Sequence, residues 1–128
     1  MKLLLDTHAF IWWDSEPEKL SPRALSLCED SANQLHLSTA SLWEIQIKSR
    51  LGRLKLSLPL PEIVTTQQEA NGLVLLSIHP DHVYALNALP ALHKDPFDRM
   101  LVAQARSEGL HLITHDETVR TYPVDVEW

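Results

Sequence analysis

Four acidic residues stand just past apolar runs or among apolar neighbours. Asp6 follows directly on the leucines at 3–5, and Glu44 lies a few residues past "QLHLS". Asp98 has Leu101, Val102 and Ala105 as its helical neighbours, and Asp116 comes one histidine after "LHLIT". Carboxylates gathered in one place repel one another unless protons or a cation intervene. An all-oxygen donor set of this kind selects a hard divalent ion such as Mg²⁺ or Mn²⁺. A site of that sort, partly open to water, suits metal-assisted phosphoryl chemistry.

Each acid also has a simpler explanation. Asp6 suits the cap of a helix beginning at Thr7, and Asp98 is the third residue of a capping arrangement opened by Asp95. Glu44 has Lys48 four residues on, the spacing of a surface ion pair contributing roughly 0.3–0.5 kcal/mol. Asp116 suits the start of a turn. Taken singly, these readings suffice. Taken together, the four positions point to convergence, and the elements that carry them explain why.

Short apolar runs alternate with helical patterns along the chain. The strands are residues 3–5, "QLHLS", "GLVLLSI", "LHLIT" and a short "VDVEW". Ser21-Pro22 opens a helix to about residue 31, a second covers residues 40 to 51 and stops near Gly52, and Pro61 begins a third. "HPDHVYALNAL" reads as a short helix. "DPFDRMLVAQARSEG" is the clearest, with Asp95 as N-cap, Pro96 at the first position and Gly109 past the end. Uniformly apolar strands separated by helices predict an α/β fold, with a mainly parallel sheet of four to five strands covered on both faces. In such a sheet, functional groups collect beyond the carboxyl ends of the strands. Asp6, Glu44 and Asp116 all follow strand ends. If the strands before Asp6 and Asp116 are parallel neighbours, both carboxylates sit on the same edge. Asp98 shares the helix face that packs on the sheet.

At 128 residues and 45% hydrophobic content the chain is sized for one domain, spanning residues 1–128. Its single cysteine, Cys28, excludes a disulfide framework or a thiolate metal site. The three-leucine run after Lys2 is too short for a signal peptide, and no stretch has the roughly 20 apolar residues needed to cross a bilayer. These features predict a reduced, cytoplasmic protein. The net charge of −6 argues against a non-specific nucleic-acid coat, yet "KSRLGRLK" carries Lys48, Arg50, Arg53 and Lys55 with no acid among them. The seven histidines include the pairs His79/His82 and His111/His115, neither with a third ligand at a zinc spacing. Trp12, Trp13, Trp43 and Trp128 suit either an interface or the core.

The motifs "LLLDTHAF", "STASLWEI", "KDPFDRMLVAQA" and "LITHDE" resemble those of the PIN-domain ribonucleases, and among them the VapC toxins of bacterial toxin–antitoxin pairs. The resemblance covers essentially the whole chain. It implies a single PIN-like domain, a three-layer α/β/α sandwich, and Mg²⁺- or Mn²⁺-dependent endonucleolytic cleavage of RNA. It puts the catalytic and metal-binding acids at Asp6, Glu44, Asp98 and Asp116, with Asp6 and Asp98 most central and the other two completing the cluster directly or through water. Ser38 and Thr114 match supporting hydroxyl positions. Lys48, Arg50, Arg53, Lys55 and Arg99 are candidates for RNA phosphate contacts. The implied partners are a VapB-type antitoxin, through which alone DNA would be bound, and a second copy of the chain in a homodimer or larger complex.

Other readings remain. A haloacid-dehalogenase-like phosphatase would want a second aspartate two positions after Asp6, where His8 stands. A receiver-like module would want two adjacent acids after the first strand. A PIN-like RNA-processing nuclease outside any toxin–antitoxin pair, or a catalytically silent PIN-fold binding module, differs in partner or activity rather than in fold.

Overall fold

A computed structural model describes all 128 residues. Five strands, β1 (Lys2–Leu5), β2 (Gln34–Ser38), β3 (Val74–Leu76), β4 (His111–Ile113) and β5 (Val126–Glu127), form one sheet in the order β3-β2-β1-β4-β5. Every pairing is parallel. The predicted parallel sheet is therefore present with its fifth strand. The strand expected from "GLVLLSI" is shorter, because only its middle residues pair with β2.

The helices are α1 (Thr7–Ser15), α2 (Pro22–Glu29), α3 (Thr39–Arg50), α4 (Leu60–Asn71), α5 (Pro80–Ala85) and α6 (Pro96–Glu108). Their starts follow local chemistry. Ser21 accepts from the Ala24 N–H ahead of Pro22, and Asp95 accepts from Phe97 and Asp98 N–H ahead of Pro96. Gly109 ends α6 with φ +67°, a conformation that other residues enter only with strain. The helix expected from "HPDHVYALNAL" is α5 followed by one 3₁₀ turn, Leu86–Ala88. None of these helices is long and apolar enough to cross a membrane.

Alternation along β1 divides the core. Leu3 and Leu5 pack on one side with Leu35, Leu37, Phe10, Ile45 and Ile63, while Leu4 packs on the other with Leu101, Val102 and Leu112. Both sides of the sheet are thus covered, giving the three-layer sandwich. Each fully buried leucine contributes roughly 1.5–3 kcal/mol. Helix α3 contacts both α1 and α6, which covers the side of α3 that bears Glu44.

The chain runs from β1 outward to β2 and β3, then returns to the opposite side of β1 as β4. The strand order therefore reverses at the β1–β4 pair, which is where an open parallel sheet leaves a crevice beyond its carboxyl ends. Asp6 follows β1 directly, and Asp116 follows β4, at that crevice.

Candidate active site

The crevice is a cavity of about 370 Å³ lined by Asp6, Thr7, His8 and Trp12 from the β1–α1 junction, Glu44 and Lys48 from α3, His93, Asp95 and Asp98 around the start of α6, and His115 and Asp116 after β4. All four acids singled out in the sequence open onto it. Only one lysine faces these carboxylates.

Asp6 does cap α1: its Oδ1 accepts the Ala9 N–H at 2.7 Å. Capping and a place in the cleft coexist, because Asp6 is the single residue between the end of β1 and the start of α1. Burial pushes the Asp6 carboxyl up, and the Thr114 hydroxyl and the Ala9 N–H pull in the opposite direction.

Glu44 is not the surface ion-pair partner that its spacing to Lys48 suggested. It is buried, 3% exposed, with Oε1 accepting the Thr7 hydroxyl at 2.6 Å and Oε2 lying 2.6 Å from Lys48 Nζ. The Ser41 hydroxyl is 3.1 Å from that of Thr7, extending the network. Helix spacing reports only the neighbour four residues on, whereas burial here comes from α1 and α6.

Asp98 lies across the cleft, half-buried, with Oδ2 2.9 Å from His93 Nε2. Its carboxyl is pushed up to about 7, chiefly by burial and then by the charge of Asp95. His93 opposes the rise, and Asp6 and Glu44 add to it. Asp116 holds the turn expected of it, Oδ1 accepting from Thr118 N–H at 2.8 Å and Val119 N–H at 3.0 Å. Its Oδ2 is 3.8 Å from His93 Nε2.

His93 is the residue that sequence reasoning missed. It stands five positions before Asp98 in the segment leading into α6, and no periodicity marks it. The buried Thr7 and Ser41 were missed for the same reason. The histidine pairs considered for zinc are otherwise engaged. His82 is buried between the His79 N–H and Glu108, His111 lies 3.3 Å from Glu127, and His115 stacks on Trp128.

Of the supporting residues, Ser38 caps α3 through the Ala40 N–H at 3.0 Å and does not line the cleft. Thr114 is buried and accepts the Asp116 N–H at 3.1 Å. The basic residues divide. Lys48 lines the cleft, while Arg50, Arg53 and Lys55 are exposed beyond it and form no ion pair. Arg99 was expected to meet phosphate beside the site. Instead its guanidinium donates to Pro90 O at 2.9 Å, Tyr122 Oη at 3.0 Å and Leu86 O at 3.3 Å, and it does not line the cleft. Three of its five N–H donors hold the segment before α6, which makes it a support of that segment and not part of the cleft lining. Trp12, Trp13 and Trp128 pack against the core, and Trp43, 62% exposed, lies on the surface against Phe97.

The donor set fits a divalent cation. Carboxylates outnumber cations in the cleft, and His93, Asp98 and Asp116 each offer a ligand atom within 4.8 Å of the others.

A parallel sheet of this order, with acids gathered at its reversal point, defines a class that the comparison with known proteins confirms: the chain belongs to the PIN-domain family, whose model matches residues 3–124. Over 121 residues it is 31% identical to Ribonuclease VapC22 of Mycobacterium tuberculosis, covering 94% of this chain and 91% of that protein. Solved structures share the fold, among them two VapBC structures. The VapBC2 structure from Rickettsia felis, bound to a DNA fragment from their promoter, has a TM-score of 0.72 at 14% identity, covering 99% of this chain and 98% of the matched one. The DNA-bound VapBC structure from Salmonella typhimurium has a TM-score of 0.67 at 16% identity, covering 99% and 97%.

Proposed function

We propose that this chain is a divalent-metal-dependent endoribonuclease and the toxin of a type II toxin–antitoxin pair. The observation that carries the reading is the gathering of Asp6, Glu44, Asp98 and Asp116 on one cleft at the sheet's reversal point. The name of the 31%-identical relative, Ribonuclease VapC22, and the VapBC structures of like fold support it.

Asp6, Asp98 and Asp116 would hold the cation, Mg²⁺ or Mn²⁺, with Glu44 beside them. A cation there supplies activation of a water and neutralisation of phosphate charge. The chain's own residues do the rest. Asp6 is fixed by the Ala9 N–H and Asp116 by two N–H groups, so neither must reorganise when a substrate arrives. Thr7 and Lys48 hold Glu44 in place. Lys48 is the lysine that lines the cleft, and it is assigned, with the exposed Arg50, Arg53 and Lys55, to contacts with the RNA backbone. No side chain need form a covalent bond to phosphorus.

A VapB-type antitoxin is the proposed inhibitor, covering the acidic cleft, and a second copy of the chain the proposed partner in a homodimer. The test is incubation of the purified protein with structured RNAs in Mg²⁺ or in EDTA, beside an Asp6→Ala control. Cleavage that needs both the metal and Asp6 is expected. Cleavage in EDTA, or by Asp6→Ala protein free of contaminating nuclease, would reject the reading.

A further inference from the structure

Resting on the reading of the cleft as a metal-dependent site, we propose that His93 is a direct metal ligand through Nε2, alongside Asp98 and Asp116, and that Glu44 stays outside the inner coordination set. The nitrogen donor makes the site favour a first-row transition ion over Mg²⁺.

Glu44 has no idle oxygen. One accepts the Thr7 hydroxyl and the other holds the Lys48 ammonium, both at 2.6 Å. A cation at either oxygen would have to share it with the donor already there. At Oε2 it would also sit beside the Lys48 ammonium, whose charge repels it. Asp116 is differently placed. Its Oδ1 is committed to two backbone N–H groups, which leaves Oδ2, the atom on the His93 side.

His93 Nε2 lies 2.9 Å from Asp98 Oδ2 and 3.8 Å from Asp116 Oδ2. Adjacent ligands of an octahedral ion bonded at about 2.0–2.1 Å are about 3 Å apart. The His93–Asp98 separation already has that length. Replacing the shared proton by a cation therefore requires the ring to turn its Nε2 lone pair off the hydrogen-bond axis, but not the two atoms to move apart.

The ring is also held in place from behind. The His93 backbone N–H donates to Tyr122 Oη at 2.9 Å, and Tyr122 is buried. The same hydroxyl accepts from Arg99, which also ties down Pro90 O at 2.9 Å. The Arg99–Tyr122 pair thus anchors the segment that presents the imidazole. Such support sets how well a ligand's geometry is fixed.

Ligand chemistry supplies the consequence. Mg²⁺ is served by oxygen, while imidazole suits transition ions better. A site with one nitrogen among carboxylates is therefore less favourable to Mg²⁺ than a purely acidic one.

Pulsed electron paramagnetic resonance on the metal-stripped protein reloaded with Mn²⁺ tests this without recourse to activity. The wild type should show ¹⁴N coupling from a bound imidazole. In His93→Gln that coupling should vanish, Mn²⁺ affinity by calorimetry should fall about tenfold or more, and Mg²⁺ affinity should change by less than about threefold. Bound Mn²⁺ without ¹⁴N coupling in the wild type overturns the inference and leaves the ribonuclease reading standing. Coupling that survives in His93→Gln assigns the nitrogen to another ring, such as His8 or His115, and also overturns it. Absence of divalent-ion uptake by the wild type would end both readings together.

Discussion

Lys48 Nζ lies 2.6 Å from the Oε2 of a Glu44 that is only 3% exposed, so a lysine at the mouth of the cleft neutralises a carboxylate at its base. Removing the cation strands that buried charge, with only Thr7 left to compensate it. Lys48→Met should destabilise the fold by roughly 1–3 kcal/mol, the cost of leaving a buried group unpaired. The half-exposed lysine keeps the figure below that of a fully buried pair. Urea unfolding checks it, and an unchanged midpoint would mean that water already carries the Glu44 charge.

Asp98 gives a pH dependence whose direction is set by its raised carboxyl, about 7 against an ordinary 3.8. Between these values the folded chain keeps a proton that the unfolded chain has released. Its contribution to stability is therefore full below about pH 4 and lost as pH rises through about 7. Glu127 works in the opposite direction. The Arg23 guanidinium beside it holds its carboxyl below the usual range, so its contribution is lost on acidification through that lowered value. Comparing wild type with Asp98→Asn isolates the first effect. In chelator, the variant should lose less stability between about pH 4 and 7 and should be the more stable protein at about pH 8. Mg²⁺ or Mn²⁺ should raise the wild-type melting temperature more at about pH 8 than at about pH 5. A variant with the same pH slope as wild type would refute this assignment.

Substitutions at the two central acids should separate activity from folding. Asp6→Ala and Asp98→Asn should each lower RNA cleavage by at least about a thousandfold, equivalent to about 4 kcal/mol of barrier. Both should leave the far-ultraviolet circular dichroism unchanged, since neither side chain fills the core. Cleavage within tenfold of wild type in either variant would remove that residue from the site.

Much of this arrangement was legible in local sequence. The Asp95-Pro96 start and the Gly109 end of α6 are written in adjacent residues, and the leucines of β1 read as a buried parallel strand because both of its faces are covered. Asp6 and Asp116 could be placed at one edge on the supposition that β1 and β4 are parallel neighbours, which the pairing of Leu3 with His111 bears out. What stayed hidden depends on contacts distant along the chain. Thr7 meets Glu44 37 residues away, and the His93 N–H meets Tyr122 29 residues away. Neither leaves a periodic trace. The contacts of Arg99 stayed hidden for the same reason, since its position beside Asp98 does not reveal that it donates to Pro90 and Tyr122.

Cys28 should behave as a buried apolar side chain rather than a reactive thiol. It is 6% exposed, and burial, with some help from Glu29, pushes its thiol up to about 12. A thiolate-directed reagent at neutral pH should leave the folded chain unmodified and label one thiol per chain in denaturant. Rapid labelling of the folded protein would show that α2 opens readily.

On this reading, residues from the β1–α1 junction, the start of α6 and the turn after β4 hold a divalent ion between them. Anomalous X-ray diffraction from crystals soaked in Mn²⁺ tests it most directly. The predicted result is a manganese peak bounded by Asp6, Asp98 and Asp116. A map with no peak in this cleft, or with manganese bound only elsewhere on the surface, would contradict it.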